Sequence, residues 1–149
     1  MKKVRIVFLV MTLTIVSIVN IVRGQEVLDW VTLADVTFKK EYSEELMLEY
    51  DVATFGDLIK QFDGKEVQIS GYVIALDALG VSFVLSRNPN ATCFFCGGGG
   101  PETIVDIKVK PKALKRYKMD ERKTFKGVLK MYPDNANSFI YLLTQAEPL

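Results

Sequence analysis

The sequence predicts a mainly β protein, a small five-stranded OB-like barrel with short helices before the first strand and between strands three and four. Three observations carry that expectation. Five short segments alternate apolar and polar residues with the period of a strand. Two of them, at Gly71 and Gly127, hold a glycine in mid-strand, where a curling sheet needs a bend or a close backbone approach. A proline-led stretch separates the third segment from the fourth, and five strands in that order form a partly open Greek-key barrel.

The chain has 149 residues, enough for one domain after a leader is set aside. Residues 1–24 read as a secretory signal peptide. Lys2, Lys3 and Arg5 precede an apolar run from Ile6 to Val22, and Val22-Arg23-Gly24 offers a cleavage point before Gln25. A retained membrane anchor is the competing reading, because the run sits at the lower edge of a spanning length. The expected location is periplasmic or secreted, with transient membrane contact through the signal segment. Without it the chain carries 15 basic against 18 acidic side chains, and this weakens a nucleic-acid reading, since phosphate binding draws on concentrated positive charge.

Residues 25–53 form an N-terminal extension expected to pack on the core. Leu28, Trp30, Val31 and Leu33 supply the apolar contacts, and Val36-Thr37-Phe38 reads as a short strand. Residues 54–149 make up the barrel domain. Phe55, Leu58, Ile59 and Phe62 recur at helical spacing, Thr54 is placed to cap that helix, and Gly64 to end it. Residues 65–76 then alternate, with Val67, Ile69, Gly71, Val73 and Ala75 on one face. Asp77-Ala78-Leu79-Gly80 is a turn, and Val81 to Ser86 returns as the second strand.

The third strand runs from Thr103 to Lys110, with Val105, Ile107 and Val109 together. Pro111 opens a short helix through Tyr117, where its missing N–H costs nothing. Lys123 to Tyr132 is the fourth strand. Residues 133–137 are a turn, and Ser138 to Gln145 the fifth strand.

Between strands two and three lies the densest chemistry in the chain, Cys93-Phe94-Phe95-Cys96-Gly97-Gly98-Gly99-Gly100-Pro101. Both cysteines of the protein sit there, and four readings stay open, one of them two unpaired cysteines that mainly pack. In an exported protein the pair can close as a structural disulfide. It can supply half of a thiolate set for zinc or copper(I), with Asp106 as a supplementary ligand. It can also act as a thiol–disulfide exchange factor, although no basic residue lies between Arg87 and Lys108 to acidify a thiol. Phe94 and Phe95, with Gly97, Gly98, Gly99 and Gly100, form a loop for a ligand or partner, either an exported protein or a small molecule. The glycines lack the spacing of a phosphate-binding loop.

With no histidine in the chain, Ser-His-acid and Cys-His catalysis are excluded. The basic cluster Lys108, Lys110, Lys112, Lys115, Arg116 and Lys118 reads as a solvated face.

Asp29-Trp30-x-x-Leu33, Gly64-Lys65-x-Val67-x-Ile69-x-Gly71-Tyr72-Val73, and Phe83-Val84-Leu85 leading to Cys93 and then Ile104-Val105-Asp106-Ile107 together resemble an uncharacterised family of small exported bacterial proteins with a barrel core and a cysteine-containing Gly/Pro-rich loop. The resemblance covers residues 28–149. Several relatives have cysteine, one residue and histidine, followed by prolines. The resemblance thus implies a shared role for Cys93, with Cys96 replacing the imidazole as a second metal ligand, in an exported accessory or binding protein.

Overall fold

The computed structural model of the protein describes residues 26–44, 47–133 and 139–149, so the expected signal segment at 1–24 lies outside the described residues. Eight strands are described: β1 (Glu26–Val27), β2 (Val36–Ser43), β3 (Leu48–Phe55), β4 (Glu66–Ala75), β5 (Phe83–Ser86), β6 (Ile104–Val109), β7 (Arg122–Met131) and β8 (Tyr141–Pro148). Two one-turn helices, α1 (Trp30–Leu33) and α2 (Asp57–Lys60), precede the barrel strands. Among the described residues no helix is long and apolar enough to cross a membrane.

The five strands β4 to β8 close into a barrel in the order β4-β5-β6-β8-β7, with β7 returning to β4. All neighbours are antiparallel except β6 and β8, which run parallel because the chain crosses over between them. β4 closes the ring by serving two partners. Its first part, Glu66 to Tyr72, pairs with β7, and its last part, Tyr72 to Ala75, pairs with β5.

Gly71 lies at that hand-over. A Cβ there would stand 2.7 Å from the Ser86 carbonyl oxygen and 2.9 Å from the Trp30 ring, so the bend and the tryptophan both require its absence. Gly127 sits in the corresponding irregularity of β7, where the register to β8 shifts between Lys126 and Val128. The expected close approach at both glycines is therefore present.

The alternation read from the sequence fills the barrel. Val67, Ile69 and Val73 of β4, Phe83 and Leu85 of β5, Val105 and Ile107 of β6, Phe125 and Leu129 of β7, and Tyr141 and Leu143 of β8 form one buried core. Tyr117 folds into it from the stretch after β6, with its ring 4.8 Å from Phe83 and 5.5 Å from Phe125. The helical segment between the third and fourth barrel strands is a single 3-10 turn, Pro111–Ala113, with proline at its start as expected. The fifth barrel strand begins three residues later than its pattern indicates, at Tyr141.

The N-terminal region packs on the barrel through specific polar contacts. Asp29 caps α1 by accepting from the Thr32 N–H at 2.7 Å, and hydrogen bonding from the Thr32 side chain, then from its backbone N–H, holds the carboxyl below the ordinary range. Leu28 and Leu33 are buried as expected, whereas Val31 faces solvent because a one-turn helix has room for only one inward stripe. Trp30 is partly buried over Gly71 and donates from its indole N–H to the Ser70 carbonyl at 2.8 Å. The Tyr141 hydroxyl, fully buried, donates to the Leu33 carbonyl at 2.7 Å and thereby ties α1 to the start of β8. Burial, with Glu102 and Asp35 as nearby negative charges, pushes that phenol well above its usual range.

Two expectations for residues 36–64 change. The short strand at Val36 is an eight-residue arm, paired antiparallel over its whole length with β3 to make a separate two-stranded ribbon. Thr54 lies inside β3 and does not cap α2. The cap residue is Gly56, and the side chain that takes the free N–H groups is Asp35, which accepts from Leu58 at 2.8 Å and from Ile59 at 3.4 Å. A side chain at residue 56 would overlap the Asp35 carboxylate. Gly64 does end the segment in a left-handed conformation, φ 73°.

Two substitutions test these ties. Tyr141→Phe leaves the Leu33 carbonyl buried without its donor and is expected to lower unfolding stability by about 1–3 kcal/mol in denaturant melts. Asp35→Ala uncaps α2 and is expected to cost about 0.5–2 kcal/mol. Both proteins retain a β-type circular dichroism spectrum.

Candidate functional site

The chain leaves β5 at Ser86 and re-enters the barrel at β6, and the intervening residues 87–103 carry the two cysteines. The loop is ordered by its own hydrogen bonds. Its base is closed by the Arg87 N–H donating to the Thr103 carbonyl at 3.0 Å, and Ser86 and Thr103 are both fully buried there. The Thr103 hydroxyl donates to the Gly100 carbonyl at 2.7 Å, and the Asn88 side-chain amide donates to the Gly98 carbonyl at 2.8 Å. The Asn90 N–H reaches the Asp120 carboxylate at 2.6 Å, which fastens the loop to the segment leading into β7.

Within this frame Phe94–Cys96 form one 3-10 turn capped by Cys93 and ended by Gly97 in the left-handed region, φ 78°. The Cys93 carbonyl accepts from both the Cys96 and the Gly98 N–H, at 3.0 and 2.9 Å. A Cβ on Gly98 would overlap the Thr92 carbonyl, so the chain can double back only with glycine there.

Three of the four glycine N–H groups are used inside the loop. Gly97 donates to Phe94, Gly98 to Cys93 and Gly100 to the Glu102 carboxylate. They are therefore not presented to an anion.

The two sulfurs have different surroundings. Cys93 is completely buried, Cys96 is exposed, and both are free thiols. The Cys96 thiol donates to the Asn90 carbonyl at 3.2 Å. Local desolvation, the neighbouring Cys93 sulfur and a hydrogen bond between the two push the Cys96 thiol above its ordinary pKa. Cys93 caps and Cys96 ends the same 3-10 turn, so the two residues sit together on the loop.

Asp106 does not join it. Among the described residues no three His, Cys, Asp or Glu side chains converge closely enough to hold a metal ion. The Asp106 carboxylate, almost buried, is engaged by Lys108 at 2.9 Å.

The aromatic residues of the loop divide. Phe94 packs on a small cluster made by Ile74, Val84 and Ile104. Phe95 is half exposed and stands edge-on to Phe94 at 5.6 Å and to Phe139 at 6.2 Å. Phe139 also covers the small cluster, a contact with no sequence signal, because it reaches the loop from just before β8. Asn90 and Asp120 were equally silent: their contacts span six and 30 residues of chain.

The basic cluster is partly neutralised by neighbours. Lys108 pairs with Asp106, Lys110 with Glu147 at 2.7 Å, and Arg116 donates to the Leu79 carbonyl at 2.7 Å. The hydrogen bond from Lys110, supported by Lys126, holds the Glu147 carboxyl below the usual range. The surface hollow beside this pair, lined by Lys110 to Ala113 with Glu147 and Pro148, shares no residue with the cysteine loop.

No family model matches the chain, and no curated protein does. Among solved structures the chain is similar to a crystal structure of a DUF3299 family protein from Pseudomonas aeruginosa PAO1. The TM-score is 0.51 and the sequence identity 18%, over 85% of this chain and 97% of that one. At that identity the likeness is one of fold, a barrel shared with a member of an uncharacterised bacterial family.

Proposed function

We propose that the protein is an exported accessory protein that uses Cys93 and Cys96 to bind a soft transition-metal ion, with copper(I) the best match to the donor set. The observation that carries this reading is the placement of two unbridged cysteines at the start and end of one 3-10 turn, on a loop fastened by hydrogen bonds. Soft thiolate donors select copper(I) or zinc, but a structural zinc site takes four ligands, and the described residues gather no third carboxylate or thiol around the sulfurs. A monovalent ion held by two thiolates needs none. Export rests on the basic end and apolar run of residues 1–24.

Thiol–disulfide exchange is the weaker reading. An attacking cysteine is activated by a depressed pKa, and the accessible sulfur here is shifted the other way. A structural or interaction role through an intrachain disulfide rests on the same proximity of the sulfurs.

Competition against a colorimetric copper(I) chelator tests the proposal. One ion per chain is expected, with loss of at least about tenfold in affinity on Cys93→Ser or Cys96→Ser, because each change removes one of two ligands. Unchanged affinity in both variants, or a quantitative Cys93–Cys96 disulfide and no bound ion in protein taken from its own compartment, would overturn it.

The pH dependence has a definite sign. A metal must displace the Cys96 proton, whose affinity is raised, so apparent copper(I) affinity is expected to rise about tenfold per pH unit for that proton across the neutral range. Replacing Cys93 with Ala removes the neighbouring sulfur, and the midpoint of Cys96 alkylation against pH is then expected to move down.

A further inference from the structure

The ribbon of β2 and β3 stands apart from the barrel sheet, and along its strand edge β2 pairs with β3 alone among the described residues. From Val36 to Tyr42 that edge has no proline and no bulge, and is a ready template for another strand. Its side chains say which strand fits. From Phe38 to Tyr42 the order is aromatic, basic, basic, acidic, aromatic. That order complements itself when read in the opposite direction.

We infer that β2 pairs antiparallel with β2 of a second copy of this chain, about a two-fold axis at Lys40. In that register Phe38 lies opposite Tyr42 of the partner subunit, and Lys39 opposite the partner's Glu41, each pair occurring twice. Aromatic pairs and opposite charges directly across an antiparallel ladder both stabilise it.

The side chains are available for this. Phe38 and Tyr42 are large exposed apolar groups, and the Lys39–Glu41 ion pair within one strand is long, 3.7 Å, and solvated. At the axis the two Lys40 side chains meet, but each is already bonded across its own ribbon to Asp51 at 3.3 Å, so the central row is Asp-Lys-Lys-Asp and carries no net charge. The result is a continuous four-stranded sheet closed by symmetry, which leaves the β2 edges covered. This inference stands independently of the cysteine loop.

Charge exchange tests the register. The protein as recovered from the producing cell is expected to sediment as a dimer. Glu41→Lys places lysine opposite lysine at both outer pairs, and Lys39→Glu places glutamate opposite glutamate, so each variant alone is expected to halve in mass while keeping its circular dichroism spectrum. Mixed in equal amounts, the two variants have opposite charges at every outer pair and are expected to recover the dimer as a heterodimer. A monomeric parent overturns the inference, even if the ribbon captures some other protein strand. So does a parent dimer that neither variant disturbs, since its contact then lies elsewhere, and so does a mixture that stays monomeric.

Discussion

Barrel closure rests on one strand having two partners. β4 pairs with β7 over its first part and with β5 over its last, the two ladders overlap only at Tyr72, and the glycine that eases the bend, Gly71, precedes it. Because residue 71 has no side chain, the Trp30 ring can lie against the bend and the Ser86 carbonyl can approach it. Ser86 is also the last residue of β5, from which the cysteine loop departs. The curvature of the barrel and the starting point of the loop are thus set by the same contact.

From that base the loop inherits its rigidity. Four consecutive glycines would ordinarily make a segment costly to order. Here the cost is offset by hydrogen bonds from Asn88, Asn90 and Thr103, and by Phe94 and Phe139 settling on Ile74, Val84 and Ile104 outside the main core. The small apolar patch explains a detail of β4. Ile74 sits on the face opposite Val67, Ile69 and Val73, where a strand with one wet side would carry a polar residue, and it is buried because the loop covers it.

What the sequence made legible follows from where burial imposes a period. The barrel strands alternate because one side of each faces the core, and the glycines of β4 and β7 interrupt that pattern where backbone must come close. The β2–β3 ribbon was visible only at Val36-Thr37-Phe38, because β2 is solvated on both faces along most of its length and burial left no rhythm there to read. Thr54 looked like a cap because capping is normally local, whereas the group that serves α2 is Asp35, more than 20 residues upstream. The cysteine pair was plain from its spacing. Which sulfur is inside was not, since the spacing of two cysteines carries no information about their depth.

The unequal depth of the two sulfurs fixes an order of events. A thiol reagent arriving from solvent meets Cys96 directly, whereas Cys93 becomes accessible only when the fold around it opens. Two cysteines three residues apart therefore differ in reactivity by the free energy of that opening.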